Sequence, residues 1–206
     1  MRKWIITGTV LATGAALGVV AFLYSGMYDI GADVPHWSST MSIVEVLRDR
    51  SILRRSRDVQ VPDLSNPQLI LKGAGQYAAM CVNCHLAPGM SSSEIRPGLY
   101  PQPPELSKKP IDPKIAFWVT KHGIKMSGMP AWGRGHDDAT LWSIVAFLNK
   151  LPGMTPEQYK DIASKAPPDE EMEGMGQEKA TPHQSRGHEK QAKPAAAPMA
   201  NMPGMR

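Results

Sequence analysis

The fold class this 206-residue sequence predicts is all-α, with an N-terminal transmembrane helix and a disordered C-terminal tail. Three observations carry that reading. Apolar residues recur at helical spacing, and no segment shows the sustained apolar/polar alternation of a half-buried strand. Proline, glycine and capping residues bound those segments where helix starts and stops belong. The third observation is Cys81-Val82-Asn83-Cys84-His85, which holds the only two cysteines of the chain and points to a domain built around one covalently attached group.

That segment reads C-x-x-C-H, the attachment site of c-type haem. Two cysteines three positions apart can form thioethers to the two vinyl groups of one porphyrin edge, and the adjacent histidine then falls under the iron. A bare C-x-x-C leaves zinc, a redox disulfide and haem open. His85 narrows the choice, and no second cysteine pair exists to complete a four-cysteine zinc site. A thioredoxin-like dithiol and a chance match are the alternatives left standing. The expected cofactor is one haem c, bound by Cys81, Cys84 and His85. Both cysteines are then consumed, so cysteine usage says nothing independent about the compartment.

The elements follow in chain order. Residues 1–3 are a short basic N-terminus with Arg2 and Lys3, and residues 4–24 are an apolar run. At ~1.5 Å rise per residue, about twenty residues span a ~30 Å hydrocarbon core. Ser25-Gly26-Met27-Tyr28-Asp29 offers no A-x-A-like cleavage site, which favours a retained signal-anchor over a cleaved leader. The basic N-terminus belongs in the cytoplasm, which sends the rest outside. Arg48, Arg50, Arg54, Arg55 and Arg57 oppose that orientation, but they lie beyond the ~15–20 residues over which the charge bias counts. Haem attachment on the exported side decides the matter. The expected location is the bacterial inner membrane, single-pass, with the haem domain in the periplasm. Gly14 and Gly18 form a G-x-x-x-G pair, either a dimer face or ordinary membrane-helix glycines.

Residues 25–63 read as a connector containing an amphipathic helix over 41–53, with Ser38, Ser39 and Thr40 as N-cap candidates. Ile43, Val46, Leu47 and the stem of Arg50 share one of its faces. Its arginines suit either solvent, anionic headgroups or a partner subunit. The globular domain is assigned to residues 64–152. A first helix over 67–79 leads into Cys81. Pro97, Pro101, Pro103 and Pro104 then stiffen a loop that forms a wall without needing hydrogen bonds. Asp112-Pro113 is an N-cap and N1 pair opening a helix to His122, stopped by Gly123, with Ile115, Trp118 and Val119 as its apolar stripe. A last helix runs from His136-Asp137 to Asn149, burying Leu141, Trp142, Ile144, Val145 and Leu148. Residues 153–206 are expected to be a disordered tail rich in Met, Pro and Ala, with one short helical turn at 156–162, because so little apolar surface cannot offset ordering entropy. The tail's Met172, Met175, Met199, Met202, Met205, His183 and His188 suit Cu(I), although unstructured filler explains them as well.

Met126 and Met129 compete for the sixth position of the iron, in a loop between two helices; His122 is a further alternative, more simply a C-terminal cap cation. A thioether there raises the reduction potential and favours plain electron transfer. Here the chain resembles the class I cytochrome c family, whose distal ligand is a Met followed directly by Pro. Met129-Pro130 matches and Met126 does not. Gly73 and Tyr77 lie eight and four residues before Cys81, where that family places a small residue and an aromatic. Ile144-Val145-Ala146-Phe147-Leu148 resembles its terminal helix. The resemblance implies a cytochrome c fold around one covalently bound haem, held by Cys81, Cys84, His85 and Met129. The anchor and the arginine-rich connector lie outside it.

Tyr100, Trp118, Trp132 and Arg134 are candidates to wall the haem or bond its propionates, and core packing explains each equally well. His85 is expected to donate its second ring nitrogen to a nearby carbonyl, with Pro88 named as acceptor. No Asp/Glu pair or nucleophile–base arrangement suggests an enzyme. Lys108, Lys109, Lys114, Lys121, Lys125 and Arg134 suit steering toward acidic redox partners, and nucleic-acid binding is not expected. The function expected is electron transfer by a membrane-anchored periplasmic carrier between a dehydrogenase or other respiratory donor and a terminal oxidase or reductase. A fixed electron-relay subunit of a larger respiratory complex is one alternative, and a haem enzyme or gas sensor with a labile sixth ligand is the other.

Overall fold

A computed structural model of the chain describes residues 1–167, and every regular element among them is helical. Seven α-helices follow in order: α1 Arg2–Tyr24, α2 Ser38–Ser56, α3 Pro67–Met80, α4 Val82–His85, α5 Pro113–His122, α6 Asp138–Leu148 and α7 Pro156–Lys165. Short 3-10 turns cover Arg96–Gly98 and Trp132–Arg134. The all-α expectation holds, and α3, α5 and α6 begin and end within a few residues of the expected positions.

The caps explain that agreement. Asn66 accepts from the Gln68 N–H, Asp112 accepts from Lys114 and Ile115, and Asp137 accepts from Thr140, each satisfying first-turn donors that the helix cannot. Pro67 and Pro113 follow the first two caps, where a missing N–H costs nothing.

The core is the crossing of α3 and α6. Tyr77, Leu141, Ile144, Val145 and Phe147 are essentially inaccessible to solvent, each worth about 1.5–3 kcal/mol for an aliphatic or aromatic side chain taken out of water. Gly73 makes the crossing possible. A Cβ built there would stand 1.8 Å from the Ser143 carbonyl oxygen and 2.9 Å from the Phe147 Cβ. On the other side of α6, Trp142 stacks on Phe117 of α5 with ring centroids 3.9 Å apart and planes at 8°.

α7 departs from the expected tail. Thr155 and Gln158 close a reciprocal capping box, and Tyr159 is buried edge-on against Tyr77 at 6.2 Å. Ile162 and Ala163 pack on the same core. The proline-rich surroundings and sparse apolar residues hide a ten-residue helix whose one face docks on α3. Tyr159→Ala is expected to destabilise the domain by ~3 kcal/mol, as for other buried aromatics, measured by denaturant unfolding. An unchanged midpoint would show that α7 is not part of the core. The Met- and His-bearing remainder, from Met172 onward, lies outside the described residues.

α1 is exposed along its length, with a mean hydropathy of 2.0 in its most apolar window, so it is long and apolar enough to cross a membrane. α2 is longer than expected, and its N-cap is Trp37, which makes no side-chain cap, in place of the expected Ser38, Ser39 or Thr40. The stripe of Ile43, Val46 and Leu47 is exposed. It is the opposite face, with Met41, Arg48, Ile52 and the buried Ser56, that turns toward the domain, and α2 packs on α5. The Lys114 ammonium donates to the Arg57 carbonyl at 3.1 Å where the two helices meet.

Candidate functional site

One turn of helix, α4, presents the Cys81-x-x-Cys84-His85 segment. Cys81 ends α3, and its carbonyl accepts from both Cys84 and His85 N–H groups. Leu86 then takes a positive φ of 62° and turns the chain away. The Tyr77 hydroxyl donates to the Leu86 carbonyl at 2.7 Å, so the core helix clamps the end of the motif. Leu86 is itself buried.

Cys81, Cys84 and His85 line a cavity of about 680 Å³, a volume suited to a large organic cofactor. Across it lie Ser127, Gly128, Met129 and Pro130 of the α5–α6 loop, with Ile115, Ala116 and Val119 of α5, Leu148 of α6, and Trp132. Pro101, Pro103 and Pro104 line it too, so the proline loop does serve as a wall. A slot of this apolar character, with two thiols and an imidazole along one side and a thioether among the lining, fits a haem.

The two methionines separate clearly in the structure. Met129 lines the cavity, whereas Met126 is 95 % exposed at a positive φ of 58°. The loop is braced from within: Ile124 N–H donates to the Met129 carbonyl at 3.1 Å, and Met129 N–H donates to Ser127 Oγ at 3.2 Å. Gly123 is required beneath it. Its φ is +64°, and an added Cβ would meet the Met129 oxygen, the Pro130 carbonyl carbon and the Ala131 nitrogen within 2.8 Å. His122 rests against Trp118, ring centroids 4.8 Å apart, outside the lining.

His85 Nδ1 lies 2.8 Å from a backbone carbonyl, and that carbonyl belongs to Pro104, not to Pro88. Pro104 is remote in sequence; the folded-back proline loop brings it over the ring. A proton on Nδ1, donated to that oxygen, leaves Nε2 with a free lone pair that could ligate a metal. Burial holds the imidazole below its ordinary pKa, with the Arg96 charge adding to the effect against the Pro104 bond, so the ring is neutral and able to ligate a metal. Burial also pushes the Cys81 thiol up to about 12, with Cys84 adding to it. Reactive dithiols have lowered thiol pKa values, which argues against a thioredoxin-like role. Among the described residues, no three His, Cys, Asp or Glu side chains converge as a metal cage needs.

Of the four candidate side chains for the cofactor's walls, Trp132 alone lines the cavity. Tyr100 instead packs edge-on against His36 of the connector, centroids 5.3 Å apart, and accepts the His36 N–H. Arg96, Glu45 and Arg48 are among the lining or bracing residues that escaped the sequence reading. Arg96 donates to the Cys84 carbonyl at 2.7 Å and faces Glu105 at 3.9 Å. Glu45 and Arg48 reach the cavity from α2, and Arg48 pairs with Asp49 at 2.7 Å. The spacing of Glu45 and Arg48 across one helical turn was visible, but nothing local said which way that face would turn. Among the basic residues, Lys108 pairs with Glu105 and Lys121 with Asp138, both at 2.7 Å, while Lys109, Lys125 and Arg134 are exposed.

A helical domain closed around a C-x-x-C-H turn, with an apolar slot against it, has the make-up to hold a covalently attached haem. Residues 68–148 match the model of a family described as cytochrome c oxidase, cbb3-type, subunit III. Over this segment the chain is similar to the c-type cytochromes, a likeness that implies covalently bound haem c as the prosthetic group. No curated protein and no solved structure gives a significant match.

Proposed function

We propose that this protein is a membrane-anchored, one-electron carrier whose haem is attached through Cys81 and Cys84 and ligated by His85 and Met129. The observation that carries the reading is a single cavity lined by all four residues, with Met126 and His122 outside it. When bound, haem c supplies the Fe(II)/Fe(III) couple. The chain's own residues set its conditions. The Pro104 carbonyl orients His85, the Met129 thioether favours the reduced state, and the proline wall with Val119 and Leu148 keeps water from the ring. Exposed Lys109, Lys125 and Arg134 favour approach of an acidic redox partner. α1 anchors the domain at the bacterial inner membrane, with the haem on the periplasmic side, and electrons pass from a respiratory donor to a terminal oxidase or reductase.

Visible spectra test this reading against a haem enzyme or gas sensor. The ferric protein is expected to show the weak far-red band of Met-to-iron ligation, and the ferrous protein to bind carbon monoxide slowly or not at all. Rapid carbon monoxide binding would overturn the carrier assignment. A second reading, a fixed relay subunit, is favoured by the matched family, whose description names a subunit of an oxidase. Stoichiometric co-purification of an oxidase in mild detergent would select it over an independent shuttle.

A further inference from the structure

The outward stripe of α2 is a feature that the haem site leaves unused. Ile43, Val46, Leu47, Arg50, Leu53 and Arg54 recur at three- and four-residue intervals, so they share one face of the helix. All six are exposed, Ile43 and Leu47 at 69 %. The helix's own carboxylates lie elsewhere: Glu45 lines the haem cavity, and Asp49 pairs with Arg48. The stripe is therefore apolar at its first half and cationic at its second.

Where α2 begins says what this face meets. Trp37, its N-cap, has its ring 5.8 Å from Phe22 in the last turns of α1 and 5.0 Å from Tyr28. Trp and Tyr gather at the membrane–water boundary. A helix that starts there and presents apolar residues with arginines among them has the make-up of an interfacial helix, its arginine stems able to snorkel to headgroups.

We infer that the Ile43–Val46–Leu47–Arg50–Leu53–Arg54 face of α2 lies on an anionic lipid surface, clamping the haem domain flat against the membrane. The inference rests on reading α1 as a membrane span. Its consequence is geometric. Glu45 and Arg48 reach the haem cavity from the same helix, so the cavity stands roughly one helix diameter, ~10 Å, from the headgroups. The haem is thus held at the membrane, not swung on a free tether, and a redox partner must approach along the bilayer or be embedded in it.

The test uses the full-length holoprotein in nanodiscs, where both thioether cysteines are already consumed, with a polar maleimide as probe. Leu47→Cys reports on the α2 face, Lys160→Cys on exposed α7, and Leu11→Cys on α1. In phosphatidylglycerol discs, position 47 is expected to react at least about tenfold more slowly than position 160. Arg50→Glu with Arg54→Glu is expected to restore its reactivity, each arginine contributing about five-fold in affinity for an anionic surface. If position 47 reacts as fast as position 160 while position 11 stays protected, the lipid clamp is overturned and the anchor stands. If position 11 reacts as well, the span reading fails, and the inference with it. Protection at position 47 that survives both the arginine exchange and transfer to phosphatidylcholine discs would overturn the lipid assignment in favour of a protein cover, such as a second copy.

Discussion

Gly73→Ala is expected to destabilise the haem domain by ~3 kcal/mol or more, the upper range for forced overpacking. The added Cβ has nowhere to go. It would sit 1.8 Å from the Ser143 carbonyl oxygen, which is backbone and cannot rotate away, so α3 and α6 must separate. Separation opens the contacts of Tyr77 with Phe147, centroids 5.5 Å apart, and loosens the Tyr77 clamp on Leu86 behind the haem motif. For a domain of this size the loss corresponds to a fall in Tm of about 10–20 °C, read by circular dichroism and haem absorbance together. Gly98→Ala is the control, because a Cβ there meets nothing within 4 Å; its effect is expected to stay within about 0.5 kcal/mol. A Gly73→Ala midpoint equal to that of Gly98→Ala would mean that the helices do not cross at this residue.

Met129→Ala is expected to abolish the far-red band of the ferric protein and to lower its reduction potential, since a thioether ligand raises it. Met126→Ala is expected to leave both unchanged, its side chain being 95 % exposed. Gly123→Ala is expected to weaken the band without touching either methionine. At φ +64° with the Met129 and Pro130 backbone within 2.7 Å, it displaces the loop that presents the thioether. Spectra and potentiometry on the three variants decide the matter. Loss of the band in Met126→Ala with retention in Met129→Ala would reverse the ligand assignment.

The parts legible in the sequence are those encoded by neighbouring residues. Asp112-Pro113 and Asn66-Pro67 cap and start helices through hydrogen bonds that span only two or three positions, so their spacing alone places α3 and α5. The C-x-x-C-H turn is legible for the same reason, because two thioethers and one ligand need only a single helical turn. α7 was legible at its start, where Thr155 and Gln158 form the capping box, yet it was underestimated because its stability comes from Tyr159 docking on a distant helix.

What the sequence by itself determined, then, is the helical class, the covalent haem motif and the ends of α3, α5 and α6, all set by short-range bonding. Tertiary structure alone decided which carbonyl holds His85, which face of α2 turns inward, and which side chains wall the cavity. Those choices depend on apolar burial, which is non-directional and sums over the whole chain. Pro104 reaches His85 because the proline loop folds back over the ring. Arg48 reaches the cavity because α2 packs its less apolar face on α5, leaving Ile43 and Leu47 outward. A helix whose most apolar face points away from its own domain is one that local pattern reads backwards, since periodicity identifies a face but not the surface that covers it.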